Sequence, residues 1–265
     1  MGGESRVGGY TLEAELGRGA LGVVYQGRSA DGRVVAIKTF EPSLAEDETF
    51  RARLAREARV ARDVVDSHLV RILELGEANG MPFLVLEYLS GGSLADRLAE
   101  GSLTGDQMIR VVASVAAGLD ALHRAEIVHR DVKPSNILFR EDASAALTDF
   151  GLAKGAALTL LTRRGQVLGT LDYLAPEVLR GGEATPASDV YALGCVAFEC
   201  LAGRPPFGDR SLFGVGTAHL EDDPPYPPAL PELGRAVLTA LEKDPVRRPP
   251  TATMYAHMLA AAARG

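Results

Sequence analysis

The hydrophobic pattern of the chain changes its period once, at the short polar stretch Ser90-Gly91-Gly92. Before it, β-rich runs separated by glycine extend over residues 10–40, with Asp31-Gly32 between two valine-rich segments as in a β-hairpin. After it, helical spacing dominates. A chain with this change of period is expected to fold into two parts, a small antiparallel sheet followed by a larger, mainly helical part.

The first part is predicted to contain one helix. Residues 46–66 lack Gly and Pro, and they carry five apolar residues at helical spacing, Phe50, Leu54, Ala58, Ala61 and Val65. Two further strands are expected near 69–76 and 82–88. The spacing therefore predicts an amphipathic helix that packs on the sheet.

The second part is predicted to be mostly helical. A helix over 104–125 opens with Thr104 and Gln107 in a capping-box pattern, and a helix over 187–202 is apolar nearly all round, as expected for a buried central helix. Short strand-like pieces, IVHR, NILF and ALTDF, fall within 127–150. The proline-rich residues 222–231 are predicted to form a surface connector between two helices.

Composition excludes several classes of protein. With 46% hydrophobic and 24% charged residues, the chain is globular, and a net charge of −7 gives no basic field for nucleic acid. The longest apolar stretches are too short to span a bilayer, so no membrane segment is expected in this chain. Cys195 and Cys200, five residues apart, do not share a helix face. Buried free thiols are expected, which fits a reducing, cytoplasmic compartment.

A glycine-rich stretch, GRGALGVV, lies at residues 17–24. Glycines at 17, 19 and 22 would let backbone N–H groups approach phosphates. A dinucleotide-binding fold is excluded, because a β segment follows where a helix is needed and VAIK stands near the position of the expected acidic residue. A Walker A loop is excluded because no Gly-Lys-Ser/Thr closes the run. A glycine-rich hairpin without a ligand stays open at this point.

Lys38 directly follows the apolar residues Val35-Ala36-Ile37 in a predicted strand. A half-buried ammonium needs a partner, because desolvating an unpaired charge costs several kcal/mol as a rough scale. Glu57 in the following helix is the candidate. The alternatives are a lysine that reaches solvent from an edge strand and a glutamate on a solvated helix face.

The segment HRDVKPSN, residues 129–136, contains one of only four lysines in the chain. Asp131 could orient a substrate hydroxyl and accept its proton, while Lys133 could neutralise a transferring phosphoryl group. Asn136 and Asp149, the latter in LTDFG, offer oxygens of the kind that Mg²⁺ accepts. A polar turn with a capping aspartate is the alternative, but it does not explain the glycine stretch and lysine upstream or Asp-Phe-Gly downstream.

The order GxGxxGxV, VAIK, a helical Glu, HRDxKxxN, DFG and APE (Ala175-Pro176-Glu177) resembles the eukaryotic-like, or Hanks-type, serine/threonine protein kinase family, including its bacterial members, from about residue 10 to 262. The resemblance implies an α+β, bilobal protein kinase fold. Its N-lobe, about 8–88, would be a small antiparallel β-sheet with one helix. A hinge near 87–92 would lead to a larger, mainly α-helical C-lobe, about 93–263.

The resemblance also implies a role for each matching residue. Asp131 would be the catalytic base, Lys133 would contact the γ-phosphate, and Lys38 paired with Glu57 would hold the α- and β-phosphates of ATP. Asn136 and Asp149 would bind Mg²⁺, with Mn²⁺ as the alternative ion. The residues implied to contact the nucleotide or its metal are Leu16, Gly17, Gly19, Gly22, Val24, Ala36, Lys38, Glu87, Leu89, Asn136, Leu138 and Asp149.

Regulation and structural support follow from the same resemblance. Thr162, with Thr159 as a second candidate, is predicted to carry a phosphate that pairs with Arg130, and Thr170 is predicted to form part of the substrate platform. Structurally, Asp189 would hold the catalytic segment, and Arg248 would pair with Glu177.

The expected partners are ATP, protein substrates and a transient homodimer for trans-autophosphorylation. Nucleic acid is not expected as a partner. Two alternatives remain, a pseudokinase scaffold and a small-molecule kinase of the aminoglycoside phosphotransferase type. The five histidines show no metal-ligand spacing; His129 would belong to the catalytic segment and the others would be structural or surface residues.

Overall fold

The computed structural model describes residues 5–19, 21–150 and 171–264, and these fall into two compact units. Unit 1 holds the described residues within 5–65 and 70–89. Unit 2 holds residues 66–69, 90–150 and 171–264.

The described residues of unit 1 form a six-stranded antiparallel sheet in the order β1-β2-β3-β4-β6-β5. Its strands are β1 (Arg6–Val7), β2 (Tyr10–Gly19), β3 (Gly22–Arg28), β4 (Val34–Phe40), β5 (Ile72–Ala78) and β6 (Met81–Glu87). The predicted hairpin is confirmed: β3 pairs with β4, and Gly32 in the turn has a φ of +86°, which favours glycine. Alternate residues of the central strands β4 and β6 form the buried core of the sheet, Val35, Ile37, Phe83 and Val85.

Unit 1 contains the predicted long helix and, before it, a short helix that the spacing does not predict. After α1 (Pro42–Ala45), α2 runs over Glu48–Asp63, and Asp47 caps it by accepting the backbone N–H of Phe50 at 2.8 Å. Four members of the predicted apolar stripe are buried, Phe50, Leu54, Ala58 and Ala61. For Val65, the fifth residue of the predicted stripe, the prediction is wrong. The backbone turns extended at Val64, so Val65 lies beyond the helix and is 73% exposed.

The glycines of the predicted phosphate-binding stretch differ in what surrounds them. A Cβ on Gly22 would lie 1.9 Å from the backbone oxygen of Thr39 in β4, and the φ of Gly22 is +146°. The pairing of β3 with β4 therefore requires glycine at position 22. Around the Cβ positions of Gly17 and Gly19, no atom of the described residues lies within 4 Å. These two glycines leave open space where an anion could approach the backbone.

Unit 2 is mainly helical, as expected. Its helices and strands are α3 (Leu94–Glu100), α4 (Gly105–Arg124), β7 (Ile137–Phe139), β8 (Ala145–Leu147), α5 (Pro176–Leu179), α6 (Pro186–Ala202), α7 (Leu212–Glu221), α8 (Pro231–Thr239) and α9 (Ala252–Ala262). The capping box of α4 is confirmed, since Thr104 and Gln107 exchange side chain to backbone bonds. Helix α6 is buried along most of its length, and the proline-rich residues 222–231 connect α7 to α8. Both features match the predictions.

The strand predicted for IVHR is wrong. Residues 127–130 have no strand structure, and Arg130 adopts a left-handed φ of +68°, which a β-strand does not allow. The other two pieces do pair, as β7 with β8, but β8 ends at Leu147 and Asp149 has a φ of +63°. The polar segments around Asp131 and Asp149 are therefore irregular backbone next to a short hairpin.

Cys195 and Cys200 are buried free thiols, as predicted. Burial raises the pKa of both, that of Cys200 to about 12, so neither is a ready nucleophile. Within the residues that the structure describes, no helix combines the length and the apolar character needed to cross a bilayer.

His219 of α7 is a buried histidine that the sequence did not single out. Its Nδ1 lies 2.7 Å from the hydroxyl of Tyr191, and its ring packs edge-on against Phe207. Burial, together with the positive charge of Lys243, lowers the pKa of His219 from 6.5 to about 4. The folded protein therefore holds this imidazole neutral, while the unfolded chain binds a proton more readily.

We expect this histidine to make the protein acid-sensitive. Its contribution to stability is complete above pH 6.5 and is lost as the pH falls from 6.5 towards 4. A pKa shift of this size corresponds to a loss of about 3 kcal/mol in the free energy of unfolding by pH 4. Urea unfolding between pH 7 and 4 should show a shallower loss of the free energy of unfolding in His219→Gln than in the wild type. His257→Gln, at an exposed position of α9, is the matched control. Equal pH slopes in wild type and His219→Gln would contradict the prediction.

Candidate active site

Asp131, Lys133 and Asn136 meet in unit 2, on the irregular segment before β7. The Nδ2 group of Asn136 donates to Oδ2 of Asp131 at 2.6 Å and to the backbone oxygen of Asp131 at 2.8 Å. The ammonium of Lys133 lies 3.0 Å from the same Oδ2. The side chain of Asp131 is only 2% exposed, so these bonds fix the carboxylate in one orientation.

The carboxylate of Asp149 affects the pKa of the same lysine. Burial lowers the pKa of Lys133, and the negative charge of Asp149 opposes that effect. An electrostatic effect of this kind needs the two groups in one neighbourhood. Three charged groups and one amide, which the sequence separates by up to 18 positions, are thus gathered at one place in unit 2.

The donor set at this place fits a hard divalent cation. Both hydrogen bonds of the Asn136 amide use its nitrogen, so Oδ1 is the atom that could meet a cation, and Asp149 adds a carboxylate. Neutral and anionic oxygens are the ligands that Mg²⁺ takes in proteins. Among the described residues, no group of three or more His, Cys, Asp or Glu side chains is arranged to hold a metal. An ion here would take its remaining ligands from phosphate or water oxygens.

Asp189 in α6 holds the backbone just before Asp131, as predicted. Its Oδ2 accepts the N–H of His129 at 2.8 Å and its Oδ1 accepts the N–H of Arg130 at 2.9 Å. Sequence reasoning missed His123, whose Nε2 lies 2.8 Å from Oδ2 of Asp189. The two residues are 66 positions apart, and nothing in the local pattern around His123 indicates the contact.

His129 links the two polar segments through its ring. Its Nε2 lies 2.9 Å from the backbone oxygen of Thr148, and its Nδ1 accepts the N–H of Asp131 at 3.1 Å. Since Nδ1 is an acceptor, the proton lies on Nε2, which donates to Thr148. The imidazole therefore ties the backbone of Asp131 to the residue before Asp149. This agrees with the expectation that His129 belongs to the catalytic segment.

A cavity of about 360 Å³ adjoins Lys133 in unit 2. Its lining combines small residues of α3 with Tyr173 and Glu199, and the hydroxyl of Tyr173 donates to Glu199 at 2.6 Å. Burial raises the pKa of Glu199, although the bond from Tyr173 works in the opposite direction. The segment around Lys133 therefore borders a cavity that part of a substrate could enter.

Lys38 and Glu57 are both positioned in unit 1. Lys38 lies in β4 opposite Leu84 and is 5% exposed, and Glu57 lies in α2 with its Oε1 3.0 Å from Nε of Arg53. A buried ammonium requires an anionic or hydrogen-bonding partner. The predicted pair of Lys38 with Glu57 stays a prediction.

The other residues predicted to contact the nucleotide are placed as follows. In unit 1, Leu16 of β2 is 46% exposed and Ala36 of β4 is 8% exposed. Val24 of β3 lies opposite Gly17 of β2 and Lys38 of β4. The N–H of Glu87 donates to the backbone oxygen of Arg71 at 2.9 Å, so a backbone bond from Glu87 to a ligand would use its carbonyl. Leu89 is the last of the described residues that belong to unit 1.

In unit 2, Leu138 lies in β7, where it also bridges to Ser93. The three predicted phosphorylation and substrate residues, Thr159, Thr162 and Thr170, lie outside the described residues.

Comparison with known proteins connects this geometry to a family. The family described as protein kinase domain matches residues 10–259. Serine/threonine-protein kinase PknD of Mycobacterium tuberculosis is 40% identical over 252 residues, which are 92% of this chain and 38% of that protein. Serine/threonine-protein kinase drp72 of Corynebacterium efficiens is 40% identical over 248 residues, 90% of this chain and 48% of that protein. The chain thus spans less than half the length of these relatives.

Solved structures agree on the fold. The crystal structure of the Mycobacterium tuberculosis PknI kinase domain aligns with a TM-score of 0.77 at 26% identity, and the alignment covers 99% of both chains. The predicted fold class, a β-sheet part with one long helix and a larger helical part, is confirmed by this match.

Proposed function

The chain belongs to the protein kinase domain family, in its Hanks-type serine/threonine branch found in bacteria, and from this premise we propose that it transfers the γ-phosphoryl group of ATP to serine and threonine hydroxyls of proteins. The observation that carries the proposal is the gathering of Asp131, Lys133, Asn136 and Asp149 in unit 2. This set combines a proton acceptor, a cation and oxygen ligands for a metal.

In this proposal Asp131 orients the attacking hydroxyl and accepts its proton. Its carboxylate is suited to the task because Asn136 and Lys133 hold Oδ2 and so fix the orientation of the group. The ammonium of Lys133 stabilises the negative charge on the transferred phosphoryl group. Burial strengthens that interaction, since a charge removed from water acts through a lower dielectric.

Asn136 and Asp149 would hold the divalent metal, for which we propose Mg²⁺, with Mn²⁺ as the alternative. The ion would supply electrostatic stabilisation of the phosphate oxygens. In unit 1, Lys38 is proposed to bind phosphate oxygens with Glu57 as its partner, and the open space at Gly17 and Gly19 supports a backbone approach to phosphates.

The experiment is a transfer assay with γ-labelled ATP, Mg²⁺ and a generic basic protein, with Lys38→Met assayed in parallel. Label on protein, lost in Lys38→Met, supports the proposal. Label only on an added aminoglycoside would instead indicate a small-molecule kinase, and no transfer despite nucleotide binding would indicate a pseudokinase.

Autophosphorylation of Thr162, with Thr159 as the second site, is proposed as the regulatory step. A phosphate adds nearly two negative charges and three acceptor oxygens, and Arg130 next to Asp131 is the proposed partner. After incubation with Mg-ATP, mass spectrometry should find phosphate on Thr162 in the wild type and none in Asp131→Asn. Wild-type enzyme that is active without phosphate on either threonine would contradict the prediction.

Autophosphorylation in trans would require a transient homodimer. The initial rate of autophosphorylation should therefore rise with the square of the protein concentration. We also propose a cytoplasmic location, which the buried free thiols Cys195 and Cys200 support.

A further inference from the structure

The imidazole of His219 in α7 is held by three other side chains of unit 2. The hydroxyl of Tyr191 in α6 lies 2.7 Å from its Nδ1, and the rings of Tyr191 and Phe207 pack edge-on against it with centroids 5.6 and 4.9 Å away. The ammonium of Lys243 donates to the backbone oxygen of His219 at 2.9 Å. Because the side chain is fully buried in this close packing, the ring has one orientation.

The second ring nitrogen of His219 faces the backbone of Asp172. Among the residues that the structure describes, Nε2 is a buried polar atom without a hydrogen bond of full geometry. Burial and the charge of Lys243 lower the pKa of His219, and the backbone of Asp172 acts in the opposite direction. A backbone group that raises the pKa of an imidazole accepts its N–H, so the group concerned is the carbonyl of Asp172.

The contact with Asp172 also fixes the position of the proton. Tyr191 occupies Nδ1, so the carbonyl of Asp172 lies on the side of Nε2. A neutral imidazole donates from one nitrogen and accepts at the other. Nε2 of His219 therefore carries the proton, and Nδ1 accepts the hydroxyl of Tyr191.

Asp172 lies in Leu171–Tyr173, a single helical turn that contacts both α6 and α7. The N–H of Leu174 closes the turn by donating to the first backbone oxygen of this segment at 3.2 Å. One turn has little stability by itself, so its place depends on its neighbours. On the side of α6, the hydroxyl of Tyr173 donates to Glu199 at 2.6 Å. On the side of α7, the polar group directed at the turn is the imidazole of His219.

The turn Leu171–Tyr173 matters for the site because Tyr173 lines the cavity beside Lys133. A substrate that extends from Asp131 into this cavity meets the wall that Tyr173 forms. A shift of the turn would change that wall. It would leave the bonds that orient Asp131 in place, because those come from Asn136 and Lys133.

We infer that His219 is a positioning residue for the protein substrate, which holds the turn Leu171–Tyr173 against α7 through the carbonyl of Asp172. The kinetic part of the inference rests on the proposed function. It requires no contact of His219 with substrate, nucleotide or metal. A role confined to filling the space between aromatic rings would stabilise the fold without acting on the affinity for protein substrate.

A matched pair of substitutions tests this inference. His219→Gln keeps an N–H donor close to the place of Nε2, whereas His219→Met has nearly the same size and no donor. We expect His219→Met to raise KM for the basic protein about 5- to 10-fold, as loss of one hydrogen-bonding contact does, with kcat and KM for ATP changed less than about twofold. His219→Gln should keep all three within about twofold of the wild type. Rates are divided by the folded fraction measured for each variant.

Tyr255→Phe supplies the control for general loosening of unit 2. The buried hydroxyl of Tyr255 in α9 donates to the backbone oxygen of Val237 in α8 at 3.1 Å. Its removal should lower the melting temperature and leave KM for the basic protein within about twofold of the wild type. Equal rises of this KM in Tyr255→Phe and His219→Met, or a rise that His219→Gln shares, would overturn the inference.

Amide hydrogen exchange gives a readout that does not depend on kinase activity. The N–H of Leu174 should exchange faster in His219→Met than in the wild type and at the wild-type rate in His219→Gln. Unchanged exchange in His219→Met rejects the positioning role even in an active kinase. Faster exchange in a protein that transfers no phosphate supports the positioning role and rejects the proposed function.

Tyr191→Phe carries the test if His219→Met does not fold. This change removes one hydroxyl and keeps the ring that packs on His219. Without the donor at Nδ1, the imidazole can carry its proton on either nitrogen, so the contact with Asp172 is weakened. The N–H of Leu174 should again exchange faster than in the wild type, and an unchanged rate counts against the inference.

Discussion

Asp131→Asn is expected to lower kcat for phosphoryl transfer by about 10²- to 10⁴-fold, the range typical for loss of a general base. The amide that replaces the carboxylate cannot accept the proton of the attacking hydroxyl. It keeps an oxygen that Asn136 and Lys133 can still bind, so the surrounding segment should retain its structure. The effect should therefore appear in kcat, while the affinity for nucleotide stays close to that of the wild type.

The measurement combines steady-state phosphorylation of a basic protein with binding of a fluorescent ATP analogue. Asp106→Asn, an exposed aspartate in the first turn of α4, is the matched control and should keep wild-type activity. If Asp131→Asn retained more than about a tenth of the wild-type kcat, Asp131 would not be the base. A parallel loss of nucleotide binding would instead show that the substitution had disturbed the fold.

Arg248→Met is expected to destabilise the protein by about 3–5 kcal/mol, the usual cost when one partner of a buried ion pair is removed. The guanidinium of Arg248 is fully buried and donates to both carboxylate oxygens of Glu177, each at 2.8 Å. It also donates to the backbone oxygens of Ala187, Glu242 and Lys243. One side chain thus joins α5, the start of α6 and the loop before α9.

The surroundings of Glu177 favour its charged form. Burial by itself would raise the pKa of Glu177, but the hydrogen bonds and positive charge of Arg248, together with hydrogen bonds from the backbone and from Ser188, outweigh burial and hold the pKa below its ordinary value. Removal of Arg248 leaves this carboxylate without its main counter-charge. The predicted pairing of Arg248 with Glu177 is confirmed by these contacts.

Thermal and urea unfolding measure this effect. For a chain of this length, the loss corresponds to a fall in melting temperature of roughly 10 °C. Arg247→Met is the matched control, because Arg247 is 67% exposed and its pair with Glu242 is a surface contact worth about 0–1 kcal/mol. A double variant, Glu177→Leu with Arg248→Met, should cost less than the sum of the two single changes, since no charge is left buried. Equal stability of Arg247→Met and Arg248→Met would contradict the argument.

Much of the fold could be predicted from short stretches of the sequence. The helices α2 and α4 and the hairpin of β3 with β4 depend on apolar spacing, caps and turn residues that lie within one local segment. The strand predicted for IVHR is wrong because a distant contact overrides local preference, whereas the error at Val65 concerns only the point at which a helix ends. The residue pattern of IVHR predicts a strand. Asp189, however, binds the backbone N–H of Arg130, the last of these residues, whose left-handed φ no strand allows. Val65 fits the helical spacing, but α2 ends before it.

The sequence by itself determined the family, the fold class and the identity of the candidate catalytic residues, because each motif is a short run whose chemistry can be recognised in isolation. Only the tertiary structure decided which partner each buried charged or polar group takes. His123 bonds to Asp189 across 66 positions, His219 is held neutral between aromatic rings, and Gly22 is required by the neighbouring strand. The physical reason is that burial and hydrogen bonding depend on distances in the folded chain, and a linear pattern does not contain those distances.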